Sequence, residues 1–159
     1  MVAQAELYAG LVEVGAGLVP AGGGCLRLLQ RFGALRNARN KPVGPIQRVQ
    51  PAFELIAYGK TSTSGQNAQE LGLLGRDDVI EPNGDLLLTR AKEVALARLD
   101  GFEALPAAPL SLPGRAGAVV FDRLISGLIR QGQLSPHGAT IARVQARILT
   151  GGALSLIHI

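Results

Sequence analysis

Apolar residues recur early in the chain with the spacing of one helix face. Cys25, Leu28, Leu29 and Phe32 stand at positions i, i+3, i+4 and i+7, and these positions fall on one side of an α-helix. The spacing predicts an amphipathic helix that buries all four side chains. Because Cys25 belongs to this apolar face, we expect it to be core packing and not a nucleophile.

Capping residues and prolines mark the ends of the next predicted helices. Pro51 suits the first turn of a short helix, and Gly59 would end it. Thr63, followed three residues later by Gln66, has the form of a capping box. It predicts a further helix that Gly72 ends.

The C-terminal half contains longer helical stretches. We predict helices near residues 85–99, 115–130 and 136–149. The last one has Ser135 as its N-cap, Pro136 at its first position and Gly151 past its end. His137 lies in its first turn, where capping geometry explains a histidine better than catalysis does.

Strand signals are few. Residues 2–9 predict one strand, and residues 79–80 predict a very short second one. Residues 36–50 contain four basic residues and two prolines and read as a basic, irregular insertion. Residues 102–113 contain three prolines and predict an extended loop. The chain is therefore expected to be mostly α-helical, with one or two short strands.

The composition is that of a globular domain. Of the 159 residues, 47% are apolar and 18% are charged, which permits a proper hydrophobic core. The net charge of +4 permits binding to nucleic acid, anionic lipid or the phosphates of a nucleotide-like cofactor, without choosing among them.

The number of cysteines and the hydropathy of the chain exclude several kinds of site and segment. One cysteine, Cys25, excludes an internal disulfide and a four-cysteine zinc site. No apolar run reaches the roughly 18 to 20 residues of a membrane span, and the first residues lack the plan of a signal peptide. We therefore expect a cytoplasmic protein without a metal.

Glycines and one carboxylate form the densest motif of the chain. Gly10-Leu11-Val12-Glu13 is followed by Gly15, Gly17, Pro20 and the run Gly22-Gly23-Gly24 before a helix. Such a loop can be a tight turn or a backbone nest for an anion. Its spacing does not fit the dinucleotide fingerprint, so we expect no nicotinamide site in this chain.

The segment AELYAGLVEVGAGLVPAGGG resembles the signature of the crotonase (enoyl-CoA hydratase/isomerase) superfamily. FELIAYGKTSTSGQNAQELGLL and LSPHGATIARVQARILTGG are similar to the subfamily whose hydratase domain is fused behind a 3-hydroxyacyl-CoA dehydrogenase in bifunctional β-oxidation enzymes. The resemblance covers residues 2–153. It implies an α/β fold, a spiral of ββα turns followed by helices, of which this chain is the C-terminal half.

The resemblance also implies a chemistry, the addition of water to a 2-enoyl-CoA thioester. Two carboxyl groups act as base and proton donor, and two backbone N–H groups stabilise the enolate oxygen. Carried over by motif, Glu13 is the first carboxylate, Glu54 the second, and Gly10 offers one N–H. From the residues alone, Glu13 could instead end a strand and point to solvent, Glu54 could be helix surface, and Gly10 could serve only a turn.

Partners and cofactors follow from the same resemblance. Acyl-CoA is the expected substrate, no cofactor is expected in this chain, and NAD would serve a dehydrogenase domain outside it. The parent protein is expected to be a homo-oligomer. Arg27, Arg31 and the basic insertion could meet the CoA phosphates, although such charges are more often a solvated face.

Other classes of function remain open. Another crotonase-fold activity, an isomerase or thioester hydrolase, would need fewer carboxylates, and a truncated relative would have no catalysis. A basic module for nucleic acid would need positive residues gathered on one face, and here they are scattered. A membrane-surface helix is conceivable at 115–130. We expect neither nucleic acid nor membrane as a partner.

The expected domain covers residues 1–153. The last residues, 154–159, read as the translation of CTG TCT CTT ATA CAC ATC, which resembles the adapter end of sequencing libraries. The alternative is a genuine apolar tail. We expect the chain alone to have negligible hydratase activity, because most of the acyl-CoA pocket and the second N–H come from the preceding half of the domain.

Overall fold

The computed structural model describes residues 1–33, 39–103 and 110–152, and the backbone of 156–157. In chain order its helices and strands are β1 (Val2–Gln4), a 3₁₀ turn (Glu13–Ala16), α1 (Gly24–Gly33), α2 (Pro45–Ala57), α3 (Gly65–Glu70), β2 (Val79–Glu81), a second 3₁₀ turn (Gly84–Leu86), α4 (Leu87–Leu96), β3 (Leu110–Ser111), α5 (Gly114–Arg130), α6 (Pro136–Thr150) and β4 (Leu156–Ile157).

Two compact units make up the chain. The first consists of Met1–Gly10 and Thr61–Ala107, and the second of Leu11–Lys60 and Ala108–Ile159. The expectation of a mostly helical chain agrees with this structure. The described part contains four strands of two or three residues, where one or two were expected. The ββα spiral stays a prediction.

The first unit is built on a parallel strand pair. Val2 of β1 lies opposite Val79 of β2, and Gln4 lies opposite Glu81. The predicted strand at 2–9 is too long: Leu7 N–H donates to the Gln4 carbonyl at 3.2 Å, and this turn ends β1. The small core of the first unit consists of Ala3, Ala68 and Leu74, with Leu7 and Leu73 packed against them.

The N-cap of α3 lies one residue later than predicted. Ser64 Oγ accepts the backbone N–H of Asn67 at 3.0 Å, while Thr63 uses its own N–H to bond Asn67 Oδ1 at 3.2 Å. Ser64 therefore satisfies the helix terminus, and the predicted Thr63–Gln66 box is wrong. Gly72 follows the helix with a φ of 76°, as expected for a terminating glycine.

The second unit is a helical cluster in which α5 packs on α6, α1 on α2, and α6 on both α1 and α2. The rings of Phe53 and Phe121 lie 4.6 Å apart at its centre. The predicted apolar face of α1, Cys25, Leu28, Leu29 and Phe32, is buried, and so are Val49, Ile56, Ile125 and Leu149 of the neighbouring helices. The predicted bounds of α5 and α6 and the Ser135 cap are confirmed.

Helix α2 begins six residues earlier than predicted. Pro45 occupies its first turn and Pro51 lies inside it. The Gln47 side chain accepts the Gly44 N–H at 3.0 Å, and this cap fixes the start. Part of the predicted irregular insertion is therefore helix. Its residues 36–38 lie outside the described residues, as do 104–109 of the predicted loop and most of the tail.

Helix α4 is shorter than the predicted helix at 85–99. A 3₁₀ turn, Gly84–Leu86, precedes it, and Asn83 Oδ1 accepts the Asp85 N–H at 3.0 Å.

Among the described residues we find no helix whose length and hydropathy would let it span a membrane.

Candidate functional site

Glu13 opens the 3₁₀ turn of the second unit. Its backbone carbonyl accepts the N–H of Leu18 at 3.0 Å, which fixes the turn that carries the side chain. The side chain is half-buried, and its Oε2 atom is shielded from solvent without a hydrogen-bond donor among the described residues. The alternative that Glu13 ends a strand and points to solvent does not fit, because Glu13 lies in a 3₁₀ turn and one of its carboxylate oxygens is shielded. A shielded carboxylate oxygen without a donor costs free energy, and such atoms in folded proteins often have a functional reason.

The thiol of Cys25 on α1 has a raised pKa. Burial, followed by the negative charge of Glu13, raises the pKa of the Cys25 thiol, against a smaller lowering by a backbone hydrogen bond. Its Sγ donates a weak hydrogen bond to the Pro20 carbonyl oxygen at 3.9 Å. A buried thiol with a raised pKa stays protonated near neutral pH, so Cys25 is core packing, as expected from its position on the apolar face.

His137 lies against the end of the Glu13 turn. Gly17 closes that turn with a φ of 70°, and a Cβ built on it would come 2.6 Å from His137 Nε2. The imidazole therefore occupies the space that only a glycine leaves open. His137 lies in the first turn of α6, as predicted, but its contact with Gly17 joins residues far apart in the chain and has no signal in the sequence.

Glu54 lies on α2, which contacts the 3₁₀ turn of Glu13. It is half-buried, and its Oε1 accepts a hydrogen bond from Gln50 Nε2 at 2.9 Å. The structure thus carries the two predicted carboxylates on neighbouring elements of one unit. Gly10 belongs to the other unit, where it forms a bridge with Thr61. Its predicted role as an oxyanion donor stays a prediction.

A cavity of about 160 Å³ lies between the 3₁₀ turn, α2, α5 and α6. Its lining is mainly apolar, and it includes Val14 and Phe53, the sequence neighbours of the two glutamates, while the glutamates themselves lie outside it. Gln145 also lines it and donates from Nε2 to the Phe53 carbonyl at 3.1 Å. The complete lining of this cavity consists of Val14, Phe53, Ala57, Tyr58, Ile125, Leu128, Gln133, Leu134, Gly138, Ala142 and Gln145.

The remaining candidates have simpler placements. Arg27 is exposed and donates to Gln30 Oε1 at 3.0 Å, while Arg31 is half-buried on the same helix. Within the described ranges, no group of three or more histidine, cysteine, aspartate or glutamate side chains is arranged to hold a metal ion.

Comparison with known proteins gives one informative similarity. The chain is 34% identical over 151 residues to a probable 3-hydroxyacyl-CoA dehydrogenase of Bacillus subtilis (strain 168), an alignment that covers 94% of this chain. The chain spans 18% of the length of that relative. No protein-family model matches the chain, and no solved structure matches it.

Proposed function

We propose that this chain is part of a larger fatty-acid β-oxidation enzyme that hydrates 2-enoyl-CoA and oxidises the resulting 3-hydroxyacyl-CoA. The observation that carries the proposal is the similarity of 94% of the chain to a segment of a protein named for 3-hydroxyacyl-CoA oxidation. Hydration of a 2-enoyl-CoA produces that 3-hydroxyacyl-CoA, so the two reactions are consecutive. The oxidation would use NAD in a part outside this chain, in a cytoplasmic homo-oligomer.

Glu13 supports the hydration half of this proposal. Its shielded Oε2 has no competing hydrogen-bond donor in the described part of the chain, so a water brought in with the substrate would not have to displace a bound donor. The water oxygen would form a bond to C3 of the enoyl thioester, and its proton would pass to one carboxylate. A second carboxyl group, for which Glu54 is the candidate, would donate a proton to C2. The N–H of Gly10 would hold the thioester oxygen while charge develops on it.

A second candidate is an isomerase that moves the double bond with one carboxylate. The hydrogen bond between Gln50 and Glu54 favours it, because that bond occupies one oxygen of the second carboxylate. The substrate would again be an acyl-CoA. Glu13 would then have to remove a proton and return it at another carbon.

The test uses the complete protein encoded by the reading frame that contains this chain. Hydration of crotonyl-CoA is followed together with NAD-dependent oxidation of 3-hydroxybutyryl-CoA. Glu13→Gln should lower the hydration rate by about 10²- to 10⁴-fold and leave the oxidation unchanged, since it removes a proton-transfer group of the hydration alone. The exposed Glu6→Gln is the matched control and should keep both rates.

Three results would contradict parts of this proposal. A complete protein that oxidises 3-hydroxybutyryl-CoA but never hydrates crotonyl-CoA would contradict the hydratase half. A Glu54→Gln variant that keeps full hydration would exclude Glu54 as the second carboxylate, and isomerase activity in that variant would favour the second candidate. The 159-residue chain alone should show negligible hydration, and measurable turnover would contradict that expectation.

A further inference from the structure

Charge is divided unequally between the two compact units of the chain. The unit formed by Met1–Gly10 and Thr61–Ala107 contains nine acidic and four basic residues, a net charge of −5. The unit formed by Leu11–Lys60 and Ala108–Ile159 contains three acidic and twelve basic residues, a net charge of +9. These two values add to the net charge of +4 of the whole chain. The first unit of one copy therefore attracts the second unit of another copy.

Part of the positive charge of the second unit lies at an open groove between α5 and α6. Its lining contains four exposed arginines, Arg115 and Arg123 of α5 and Arg143 and Arg147 of α6, and we call it the arginine groove. Arg143 Nε donates to Asp122 Oδ1 at 2.9 Å. In the part of the chain that the structure describes, no carboxylate pairs with the other three arginines. Most of the positive charge of the groove is therefore open to a partner.

Apolar side chains also line the arginine groove. Val119 of α5 and Val144 of α6 belong to its lining and are 50% and 43% exposed, so apolar surface stays accessible beside the guanidinium groups. Arginine and aromatic side chains are both enriched at the centres of protein–protein interfaces. The groove therefore suits a protein surface that combines acidic side chains with large apolar ones.

The first unit exposes such a combination shortly after α4. Residues 99–103 are Leu99, Asp100, Gly101, Phe102 and Glu103, and we call them the 99–103 turn. All five are exposed, Leu99 by 64% and Phe102 by 74%. In the described residues no basic side chain pairs with Asp100 or Glu103. The turn therefore presents two unburied apolar side chains together with two uncompensated carboxylates.

We infer that the 99–103 turn of one copy docks into the arginine groove of a second copy of this chain. Phe102 and Leu99 cover the exposed valines of the groove, and removal of this apolar surface from water favours the contact. The carboxylates of Asp100 and Glu103 pair with arginines of the groove, because a guanidinium group presents paired N–H donors that match the two oxygens of a carboxylate.

A second copy is the occupant that the charges favour. Every copy carries both surfaces, and both are exposed in it. The opposite net charges of the two units steer them together. The contact joins two different surfaces and is therefore heterologous. The homo-oligomer of the proposed function has no assigned contact surface, and this docking supplies one from charge and exposure without relying on the hydration reaction.

Sedimentation velocity of the chain at rising protein concentration tests this docking. The unaltered chain should self-associate, and less strongly as salt rises from about 0.05 M to about 0.5 M, because salt screens exposed charges. Arg123→Glu/Arg147→Glu in the groove and Asp100→Lys/Glu103→Lys in the turn should each lower the association constant by about tenfold or more. An equimolar mixture of these two variants should associate again, since the first keeps an intact turn and the second an intact groove.

The matched control is Arg27→Glu/Arg130→Glu. Both arginines are exposed, belong to the second unit and lie outside the groove lining, and the change in net charge equals that of the groove variant. This control should associate like the unaltered chain. Circular dichroism shows whether each variant folds.

Three results would overturn the docking: an unaltered chain that stays monomeric up to about 1 mM, a groove variant that associates as well as its control, or a mixture of groove and turn variants that does not associate. A monomeric chain that binds a short DNA duplex through the groove would assign the groove to nucleic acid instead. The hydration assay on the complete protein is separate. Hydration without self-association contradicts the docking alone, and self-association without hydration contradicts the hydratase proposal alone.

Discussion

Gln145 of α6 donates a hydrogen bond from Nε2 to the backbone carbonyl of Phe53 on α2, over 3.1 Å and inside the protein. Gln145 is 1% exposed, and both residues line the same cavity. A buried polar side chain is tolerated where it has a partner. This bond therefore connects α6 to α2 and holds a polar group in a mainly apolar lining.

Replacing Gln145 should destabilise the fold. Gln145→Ala removes the buried hydrogen bond and enlarges the cavity, so the free energy of unfolding should fall by about 1–3 kcal/mol. Urea denaturation measures the change. Gln133→Ala is the matched control, because Gln133 lines the same cavity but is exposed, and its effect should stay within about 0.5 kcal/mol. Equal effects of the two changes would mean that the Gln145–Phe53 bond contributes nothing.

Gly17 should not tolerate a side chain. An alanine there meets both a φ of 70° and the His137 ring, so Gly17→Ala should lower the free energy of unfolding by about 1 kcal/mol or more. Gly15→Ala, in the same 3₁₀ turn with nothing within 4 Å of its added Cβ, should be nearly neutral. Thermal unfolding of both variants checks this. If His137→Ala fails to recover part of the Gly17→Ala loss, the contact with the imidazole is not the cause.

The cap of α3 gives a direct test of the corrected helix start. Ser64→Ala should cost about 1 kcal/mol, since it removes the oxygen that accepts the Asn67 N–H. Thr63→Ala should cost less, because Thr63 contributes its backbone N–H and not its hydroxyl. Denaturation midpoints of the two variants compare them. The reverse order would restore Thr63 as the cap.

Burial raises the pKa of the Cys25 thiol most, and the charge of Glu13 should add to that rise. Its charge contributes to the raised pKa of the thiol, so Glu13→Gln should lower that pKa, and Glu54→Gln should leave it unchanged. Thiolate absorbance against pH measures both. An unchanged Cys25 pKa in Glu13→Gln would mean that the carboxylate does not act on the thiol.

The same shift predicts how stability depends on pH. A thiol whose pKa is raised by folding stabilises the fold fully below its unfolded pKa of about 8.5, and the contribution is lost as pH rises through the higher folded pKa. The unaltered chain should therefore lose stability above about pH 8.5 more steeply than Cys25→Ala. Parallel pH profiles of the two proteins would contradict the raised pKa.

The predicted elements that agree with the structure depend on local signals. Helix α1 follows from its apolar spacing, and α6 follows from Ser135 and Pro136 at its start. The start of α2 was wrong because Pro45 and Pro51 both suit a first turn, and a side-chain bond from Gln47 decides between them. The strand at 2–9 was too long because apolar residues continue past the turn at Leu7.

For the candidate site, the motif identified Glu13 and Glu54 as carboxylates worth testing, and the structure adds the shielding of Glu13 and the Gln50 bond of Glu54. The contact between His137 and Gly17 could not be predicted. Neither could the arginine groove, since the four arginines are dispersed in sequence and only the packing of α5 on α6 places them on one surface.

The sequence by itself determined the helical character of the chain, the apolar faces that pack and the carboxylate motif, because spacing, capping and glycine content act over a few residues. The tertiary structure decided which faces meet, that Glu13 has a shielded oxygen, that Gln145 reaches Phe53, and that positive charge gathers between α5 and α6. These relationships join residues distant in the chain, and their free energies depend on burial and on distances that no local pattern specifies.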